Sequence, residues 1–296
     1  MANITTTELN DSIPVMFASE ALGILFAESV LVNVVNRDYD AQVREQGQSV
    51  AIPFLGSVTA NDKAANTAIT LNAPTDTKVT VTLNKHKEVS FLIEDFGRIF
   101  TSYDAVQAYA QQGARALATK IETDLSALYS GLSQTINATA GLTEAHFREA
   151  RRLLNAAKAP VSGRWAILHE DAESEALAIE KLINKDYASS DVIPSGSLGS
   201  AFGFQIAMSQ NVATSSSQCK NLFIQRNAFV LVSRPLPTDG NGAGVRQVVM
   251  QENGVSIRVT MSYDHDNLGM KVTLDTLYGV AELRDDHGVA VSTTEA

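Results

Sequence analysis

Residues 103–132, YDAVQAYAQQGARALATKIETDLSALYSGL, have the pattern of one long helix around which the rest of the chain is organised. Alanines between the apolar positions add helix propensity. At about 1.5 Å per residue, such a helix would be roughly 40 to 45 Å long, which suits a subunit that spans a wide, thin body. Its apolar stripe recurs at steps of three and four: Val106, Tyr109, Gly113, Leu117, Ile121, Leu125, Leu128 and Leu132.

The predicted ends of this helix follow from its flanking residues. Thr101 or Ser102 is a candidate N-cap, and Asp104 lies in the first turn, where a negative charge suits the helix dipole. Gly131 is a natural stop, because glycine readily adopts the left-handed conformation that ends a helix.

Two strands with a polar tip are predicted before the helix. Residues 50–54 and 78–93 alternate apolar and polar side chains, whereas residues 56–77 are rich in Ser, Thr, Asn, Asp and Ala. A hairpin of this kind cannot bury much of its own surface. We therefore expect it to project and rest on another molecule; a flap folded back on its own domain is the alternative. Residues 1–12 have the composition of a loose arm, and residues 13–35 predict a helix.

The residues after the long helix predict an α+β body. Thr143 is a candidate N-cap for a helix that runs to Pro160. Apolar alternation reverses at the turn Asp264–Gly269, which predicts a long hairpin with Gly269 able to adopt positive φ. Further strands are predicted at residues 163–168, 202–206, 222–224 and 228–232, and a further helix at residues 172–183.

The charge balance argues against a general nucleic-acid-binding protein. The chain has 23 Lys plus Arg and 33 Asp plus Glu, a formal net charge of -10, whereas neutralising phosphates needs a cationic face. A hydrophobic content of 45% is that of an ordinary folded protein. No apolar run is long enough to span a bilayer. Cys219 is the single cysteine, so an intrachain disulfide is excluded.

The clusters His169-Glu170-Asp171 and Asp264-His265-Asp266 combine residue types that bind metals or transfer protons. Neither has the i, i+4 histidine pair of a zinc protease, and spacing places no third ligand. Cys219 has no histidine near it in sequence. We therefore expect polar turns, with no catalytic residue, no metal and no cofactor. A metal-dependent hydrolase built on the two clusters is a remote alternative.

The order of the predicted parts resembles the major capsid protein of tailed double-stranded-DNA bacteriophages, which has the Johnson fold. Three stretches carry the resemblance: GQSVAIPFLG at 47–56, the segment 186–206 that ends in IPSGSLGSAFGFQI, and LYGVAELRDDHGVAV at 277–291. The first is similar to the start of the family's extended loop, the second to a segment of its axial domain, and the third to its closing strand.

The resemblance implies an α+β capsid fold with six segments. They are an N-terminal arm (1–46), an extended β-hairpin loop (47–92), a peripheral domain with the spine helix (93–160), an axial domain (161–244), the long peripheral β-hairpin (245–282), and the C-terminal strand and tail of the axial domain (283–296). From the length we expect no large inserted domain and no cleaved N-terminal scaffolding segment.

The implied function is structural: a virion subunit that self-assembles into hexamers and pentamers of an icosahedral capsid around double-stranded DNA. An encapsulin-like shell around enzyme cargo is the alternative. The implied partners are other copies of the chain, a scaffolding protein, a portal and weakly bound DNA, with assembly in the bacterial host cytoplasm and no membrane. The implied contact residues are Val58, Asn61, Lys63, Asn66 and Thr70 in the extended loop, and Asp264, His265, Asp266 and Asn267 in the peripheral turn.

Some members of this family join neighbouring subunits through a Lys–Asn isopeptide bond assisted by a glutamate. Lys63 near the loop tip and Asn267 in the peripheral turn are the matching residue types. The nearest acidic residues are Asp264 and Asp266, and the turn contains no glutamate, so we expect no crosslink. The acidic chain also predicts only sparse DNA contacts, made by isolated residues that face inward: Arg148, Arg151 or Arg152.

Overall fold

The computed structural model describes residues 18–19, 21, 23–25, 29–39, 49–56, 58–95, 105–183, 198–238, 245–252 and 255–295. Residues 18–19, 21 and 23–25 are helical. The described helices that follow are α1 (Leu31–Val34), α2 (Ala105–Ser126), α3 (Glu144–Ala156), α4 (Glu170–Leu177) and α5 (Glu180–Ile183), with 3-10 turns at Ala127–Gly131 and Asp285–His287.

The described strands form three sheets. In chain order they are β1 (Ser49–Phe54), β2 (Thr77–Thr82), β3 (Lys85–Glu94), β4 (Gln134–Asn137), β5 (Arg164–Leu168), β6 (Ser200–Ala201), β7 (Phe204–Met208), β8 (Gln218–Gln225), β9 (Phe229–Arg234), β10 (Val245–Glu252), β11 (Val255–Asp264), β12 (Gly269–Glu282) and β13 (Gly288–Thr294).

Helix α2 and the 3-10 turn after it confirm the predicted long helix, which ends at Gly131. The predicted cap at residues 101–104 lies outside the described residues. The helix packs on β12 and β3. Gly113 allows this close approach, because a Cβ there would lie 3.2 Å from Cδ1 of Leu274. The buried stripe of the helix is Ala114, Leu117, Ala118, Ile121 and Leu125.

A five-stranded antiparallel sheet is built around β12, whose neighbours are β11, β3 and β9. Residues 277 and 278 pair with both β9 and β3, so these two strands lie on opposite edges of β12. β9 therefore continues the edge that β11 begins. The predicted hairpin around residues 264–269 is confirmed as β11 and β12, and β10 extends it beside β11.

The sequence predicts one continuous strand over residues 78–93. The structure has two strands there, so the prediction of a single strand was wrong. β2 pairs with β1, whereas β3 pairs with β12. The alternation of side chains runs through both strands, so the sequence gives no sign that the pairing partner changes. At the junction, a Cβ on Gly279 of β12 would lie 2.4 Å from the carbonyl oxygen of Thr82, and only glycine fits there.

The second large sheet has six strands in the order β4-β13-β8-β5-β7-β6. Helix α3 packs on β13 and β4, and α4 packs on β5. Phe223 lies in the middle of this core, with ring centroids 5.1 Å from Phe147 and 5.2 Å from Phe204, both edge-on. β9, which the sequence places in the same segment as these strands, pairs with β12 instead.

Of the two helices predicted after residue 140, one is found with its predicted cap and the other is broken in two. Thr143 caps α3 as predicted, and its capping box is completed by His146 rather than by a Glu or Gln. The predicted helix 172–183 is broken into α4 and α5. The break follows Leu177, where backbone N–H groups of Ala178 and Ile179 donate to carbonyls three residues earlier. Residues 184–197, which include part of the capsid-like stretch 186–206, lie outside the described residues.

Candidate assembly interface

The hairpin of β1 and β2 continues into a projecting loop, residues 55–76. The strands pair from Ser49 with Thr82 to Phe54 with Thr77. Two hydrogen bonds join the arms of this loop: the Gly56 N–H donates to Asp76 Oδ1 at 3.0 Å, and the Asn72 amide donates to the Thr59 carbonyl at 2.6 Å. The loop exposes large apolar side chains: Leu55 (84%), Val58 (66%), Ile69 (70%) and Leu71 (83%).

The base of the hairpin is fixed to the body of the subunit. Its inward side chains form an apolar cluster with residues of β9 and with Leu283. The guanidinium of Arg284 lies 4.9 Å from the ring centre of Phe54. The hairpin therefore carries an exposed apolar loop on a buried base. The base is formed by Val50, Ile52, Val81, Leu83, Val230, Val232 and Leu283.

All the loop residues predicted to contact another subunit are exposed: Val58, Asn61, Lys63, Asn66 and Thr70. Asn66 lies at the tip with a positive φ of 58°. The Lys63 ammonium donates to the Ala64 carbonyl at 2.7 Å and to Thr67 Oγ1 at 3.2 Å, so it is engaged within the loop. The structure brings these residues together on one loop, and their role in contacts remains a prediction.

The predicted peripheral turn lies at the end of the β11–β12 hairpin. Asp264 shapes it, because its carboxylate accepts hydrogen bonds from the Asp266 N–H and from the Asn267 amide, each at 3.0 Å. These two bonds hold the pKa of Asp264 below its usual value. His265, Asp266 and Asn267 are exposed.

Leu268, not Gly269, adopts positive φ in this turn (46°), so that expectation was wrong. Gly269 is needed for another reason, since a Cβ there would lie 2.5 Å from the carbonyl oxygen of Ile93. The exposed side chain of Leu268 (63%) adds an apolar group to the polar turn. Beside the turn, the Tyr263 hydroxyl donates to Asp95 Oδ2 at 2.7 Å, which links β11 to the end of β3.

Two carboxylates, on the half-buried Asp124 and the buried Asp275, join elements of the sheet that carries this turn. Asp124 on α2 accepts hydrogen bonds from Tyr278 (2.7 Å) and pairs with Lys85 (3.1 Å). Burial opposes ionisation of Asp124, yet these contacts outweigh burial and lower its pKa. Burial and the same carboxylate raise the pKa of Tyr278. Asp275 on β12 accepts two hydrogen bonds from Arg258 of β11, at 2.7 and 3.1 Å.

Glu122 is a functional candidate that the sequence analysis missed. It is 1% exposed on α2. Its carboxylate accepts hydrogen bonds from the backbone N–H of Val30 and of Leu31 (2.8 Å), from Ser209 Oγ (3.1 Å) and from the Asn211 amide (2.8 Å). One side chain thus joins the long helix to the start of α1 and to the segment after β7.

The sequence indicated only two members, His169 and Asp171, of a cluster that also includes Cys219. His169 lies at the N-cap of α4, and its Nδ1 is 3.2 Å from Asp171 Oδ2. The Cys219 thiol of β8 donates to the same oxygen at 3.9 Å. Burial and the charges of Asp171 and Glu295 raise the pKa of Cys219 to about 11, so the thiol is a poor nucleophile. The sequence did not reveal this group, because Cys219 is far from His169 along the chain.

The arginines proposed for DNA contact are already engaged with neighbours on or near α3. Arg152 donates two hydrogen bonds to Glu149, at 2.7 and 2.8 Å. Arg148 pairs with Glu144 at 3.5 Å, and Arg151 donates to the Phe202 carbonyl at 2.9 Å. Carboxylates therefore pair with the charges of Arg148 and Arg152, whereas the charge of Arg151 faces a neutral carbonyl.

Comparisons with known proteins give one family match and several similar folds. The phage capsid protein family matches residues 76–292. A search of curated proteins found no match. Among solved structures, one from Mycobacterium phage Che8 is similar over 89% of this chain and 90% of its own, with 21% identity and a TM-score of 0.69.

Two capsid structures have a similar fold at lower identity. The capsid of cyanophage P-SCSP1u is 14% identical over 85% of each chain, with a TM-score of 0.64. The capsid of Ralstonia phage GP4 is 11% identical over 85% of this chain and 84% of its own, with a TM-score of 0.60. These likenesses establish an α+β capsid fold.

No helix among the described residues has the length and apolarity needed to cross a membrane. The family match favours a phage shell over an encapsulin-like compartment. Because that match extends from β2 to the last strand, the chain belongs to the phage capsid protein family and is a structural subunit of a bacteriophage capsid.

Proposed function

We propose that this subunit assembles into the hexamers and pentamers of an icosahedral capsid that encloses double-stranded DNA. The observation that carries the proposal is the projecting loop, which exposes Leu55, Val58, Ile69 and Leu71 while its base is buried. Exposed apolar side chains grouped on a protruding element mark an interaction surface. Burying them on a neighbouring copy supplies assembly energy, and symmetry repeats the contact around each ring.

The two large sheets support the proposed division of the chain. In this division, residues 93–160 and 245–282 form a peripheral domain, and residues 161–244 and 283–296 form an axial domain. The five-stranded sheet on α2 supports the peripheral domain, although β3 and β9 come from the segments proposed as the extended loop and the axial domain. The six-stranded sheet supports the axial domain, but its edge strand β4 and the helix α3 that packs on it come from segment 93–160. The extended loop then keeps β1, β2 and the tip, and residues 1–46 form the arm.

The proposed partners beyond the chain itself are a scaffolding protein, a portal and packaged DNA, with assembly in the bacterial cytoplasm and a structural rather than enzymatic role. The net charge of -10 and the paired arginines of α3 support weak, non-specific DNA contacts. Steep salt-dependent binding of DNA by free subunits would contradict this part of the proposal.

The loop provides the direct test. Replacing Leu71, which is 83% exposed, by Ser should leave the subunit folded and weaken assembly. Burying one leucine contributes about 1.5–3 kcal/mol, so the assembly constant per contact should fall roughly tenfold to a hundredfold. Light scattering against protein concentration measures this change.

Leu71→Met is the matched control, because it keeps an apolar side chain of similar volume and should assemble like the parent. Normal assembly of Leu71→Ser at all concentrations would show that the apolar loop does not contact neighbours.

A further inference from the structure

We propose that His169, Asp171 and Cys219 form a binding site for a zinc-like divalent cation that joins α4 to the six-stranded sheet. Their ligand atoms, an imidazole nitrogen, a carboxylate oxygen and a thiol sulfur, all lie within 4.8 Å of one another. These are the three ligand types that zinc prefers in proteins. Sequence spacing alone offered His169 and Asp171 without a third ligand, and the fold supplies it.

The separations suit a tetrahedral site. Zinc bonds of about 2.0–2.3 Å at tetrahedral angles place ligand atoms roughly 3.3–3.7 Å apart. In the structure, Nδ1 of His169 is 3.2 Å from Oδ2 of Asp171, and Sγ of Cys219 is 3.9 Å from the same oxygen. The remaining pair, His169 and Cys219, needs to close by about an ångström at most, which rotation of the side chains can provide.

Hydrogen bonds through the side chain of Asn221 join the segments that carry His169 and Cys219. The His169 N–H donates to Asn221 Oδ1 at 2.7 Å, and the Asn221 amide donates to Thr293 Oγ1 at 2.9 Å. Cys219 is fixed in β8, where it pairs with Thr293 of β13. The strand and the helix start that carry Cys219 and His169 are therefore joined through Asn221 and Thr293.

Burial and charge also favour a cation. Cys219 is fully buried and the His169 side chain is 11% exposed, whereas that of Asp171 is 25% exposed, so water reaches the group from one side and can fill a fourth position. The positive end of the α4 dipole opposes a cation here. The acidic residues of the first turn, Glu170, Asp171 and Glu173, offset it.

A helix cap alone explains only part of the cluster. Nδ1 of His169 accepts from the Asp171 N–H at 3.4 Å, which is a long bond for a cap. A helix cap also does not explain why the buried thiol of Cys219 lies against the carboxylate of Asp171. On metal binding, the S–H bond of Cys219 breaks, its proton goes to solvent and a sulfur–metal bond forms. The bound ion would then tie α4 to β8.

Cobalt(II) chloride is the probe, because a thiolate bound to cobalt gives a charge-transfer absorption band and the chain has a single cysteine. Added to the reduced, chelator-treated full chain, cobalt should produce this band, saturating at one ion per chain, and zinc chloride should remove it by competition. A parent protein without the band would overturn the proposal.

Variants assign the ligands. Cys219→Ser should lose the band. His169→Asn, which keeps an N-cap side chain, and Asp171→Asn should each weaken cobalt binding at least about tenfold. His265→Asn, in the other acidic histidine cluster, should bind cobalt like the parent. Equal binding by His169→Asn, Asp171→Asn and the parent would place the ion elsewhere and overturn the site. Because the parent alone gives the band, the test does not depend on the folding of any variant.

Discussion

Glu122 shows how one residue sets the arrangement of distant parts of the chain. Its carboxylate accepts hydrogen bonds from residues 91 and 89 positions away, Leu31 and Asn211. Nothing in the sequence around Glu122 distinguishes it from an ordinary surface glutamate on a helix. Its role depends on which segments the fold brings to α2, so periodicity could predict the helix and not this contact.

Removing the Glu122 carboxylate should destabilise the subunit strongly. Glu122→Ala leaves several buried donors without acceptors, each worth about 1–3 kcal/mol, so we expect the free energy of unfolding to fall by about 3 kcal/mol or more. Glu122→Gln, which keeps one carbonyl oxygen, should lose less. Urea denaturation measures both, with the exposed helix substitution Thr123→Ala as control, expected within about 0.5 kcal/mol of the parent. An unchanged Glu122→Ala would contradict this account.

We expect His287 to make the stability of the subunit depend on pH. It is 6% exposed, and within the described part of the chain its Nδ1 lacks a hydrogen-bond partner. Burial holds its pKa below the usual 6.5, with Arg284 and Arg164 acting in the same direction and Asp286 and Asp285 opposing them. Below about 6.5 the unfolded chain therefore binds a proton that the folded chain rejects, and stability falls as pH decreases through this range.

His287→Gln should reduce this loss of stability between pH 7 and pH 5, measured by urea denaturation at each pH. Asp286→Asn is the complementary variant. Its carboxylate lies 3.8 Å from Nε2 of His287 and favours protonation, so removing it should make the loss steeper. The same pH dependence in the parent and in His287→Gln would exclude His287 as its source.

At the scale of elements, local patterns predicted what local interactions determine. The long helix, the cap at Thr143 and the β11–β12 hairpin follow from spacing, capping and turn residues, and all three were found. Which strands pair depends on contacts between distant residues. The change of partner between β2 and β3 and the pairing of β9 with β12 were therefore not foreseen.

Substitutions in the turn at residues 264–267 test whether this turn makes contacts between capsomers. If symmetry brings copies of this turn together, its aspartates repel unless a cation lies between them. Asp264→Ala combined with Asp266→Ala should leave the subunit folded and change particle assembly or its response to pH.

The structure allows the charge of the turn to be separated from its shape. Asp264 accepts hydrogen bonds that form the turn, so Asp264→Ala also loosens it. Asp266→Asn is the cleaner variant, because it removes an exposed charge and keeps the size of the side chain. Normal yields of normal particles from both variants, with an unchanged response to pH, would mean that this turn takes no part in assembly.

At the scale of the whole molecule, the subunit has stable cores around α2 and in the six-stranded sheet, but it leaves an apolar loop uncovered. In a monomer these apolar side chains stay in contact with water and do not stabilise the fold. In a shell, each subunit can bury them on a neighbour. The family could be inferred from the sequence because the order of the predicted helices and strands along the chain matches the order in the capsid fold. The geometry of the assembled shell depends on angles between subunits, which no local pattern records.

Electron microscopy of the purified protein can show whether the subunit forms a capsid. We expect closed shells of hexamers and pentamers of this chain, alone or with a scaffolding protein, with the loop of one subunit lying on its neighbour. Nucleic acid inside native particles is expected, whereas an enzyme cargo would indicate a compartment. A protein that remains monomeric at high concentration, with and without a scaffolding protein, would contradict the account.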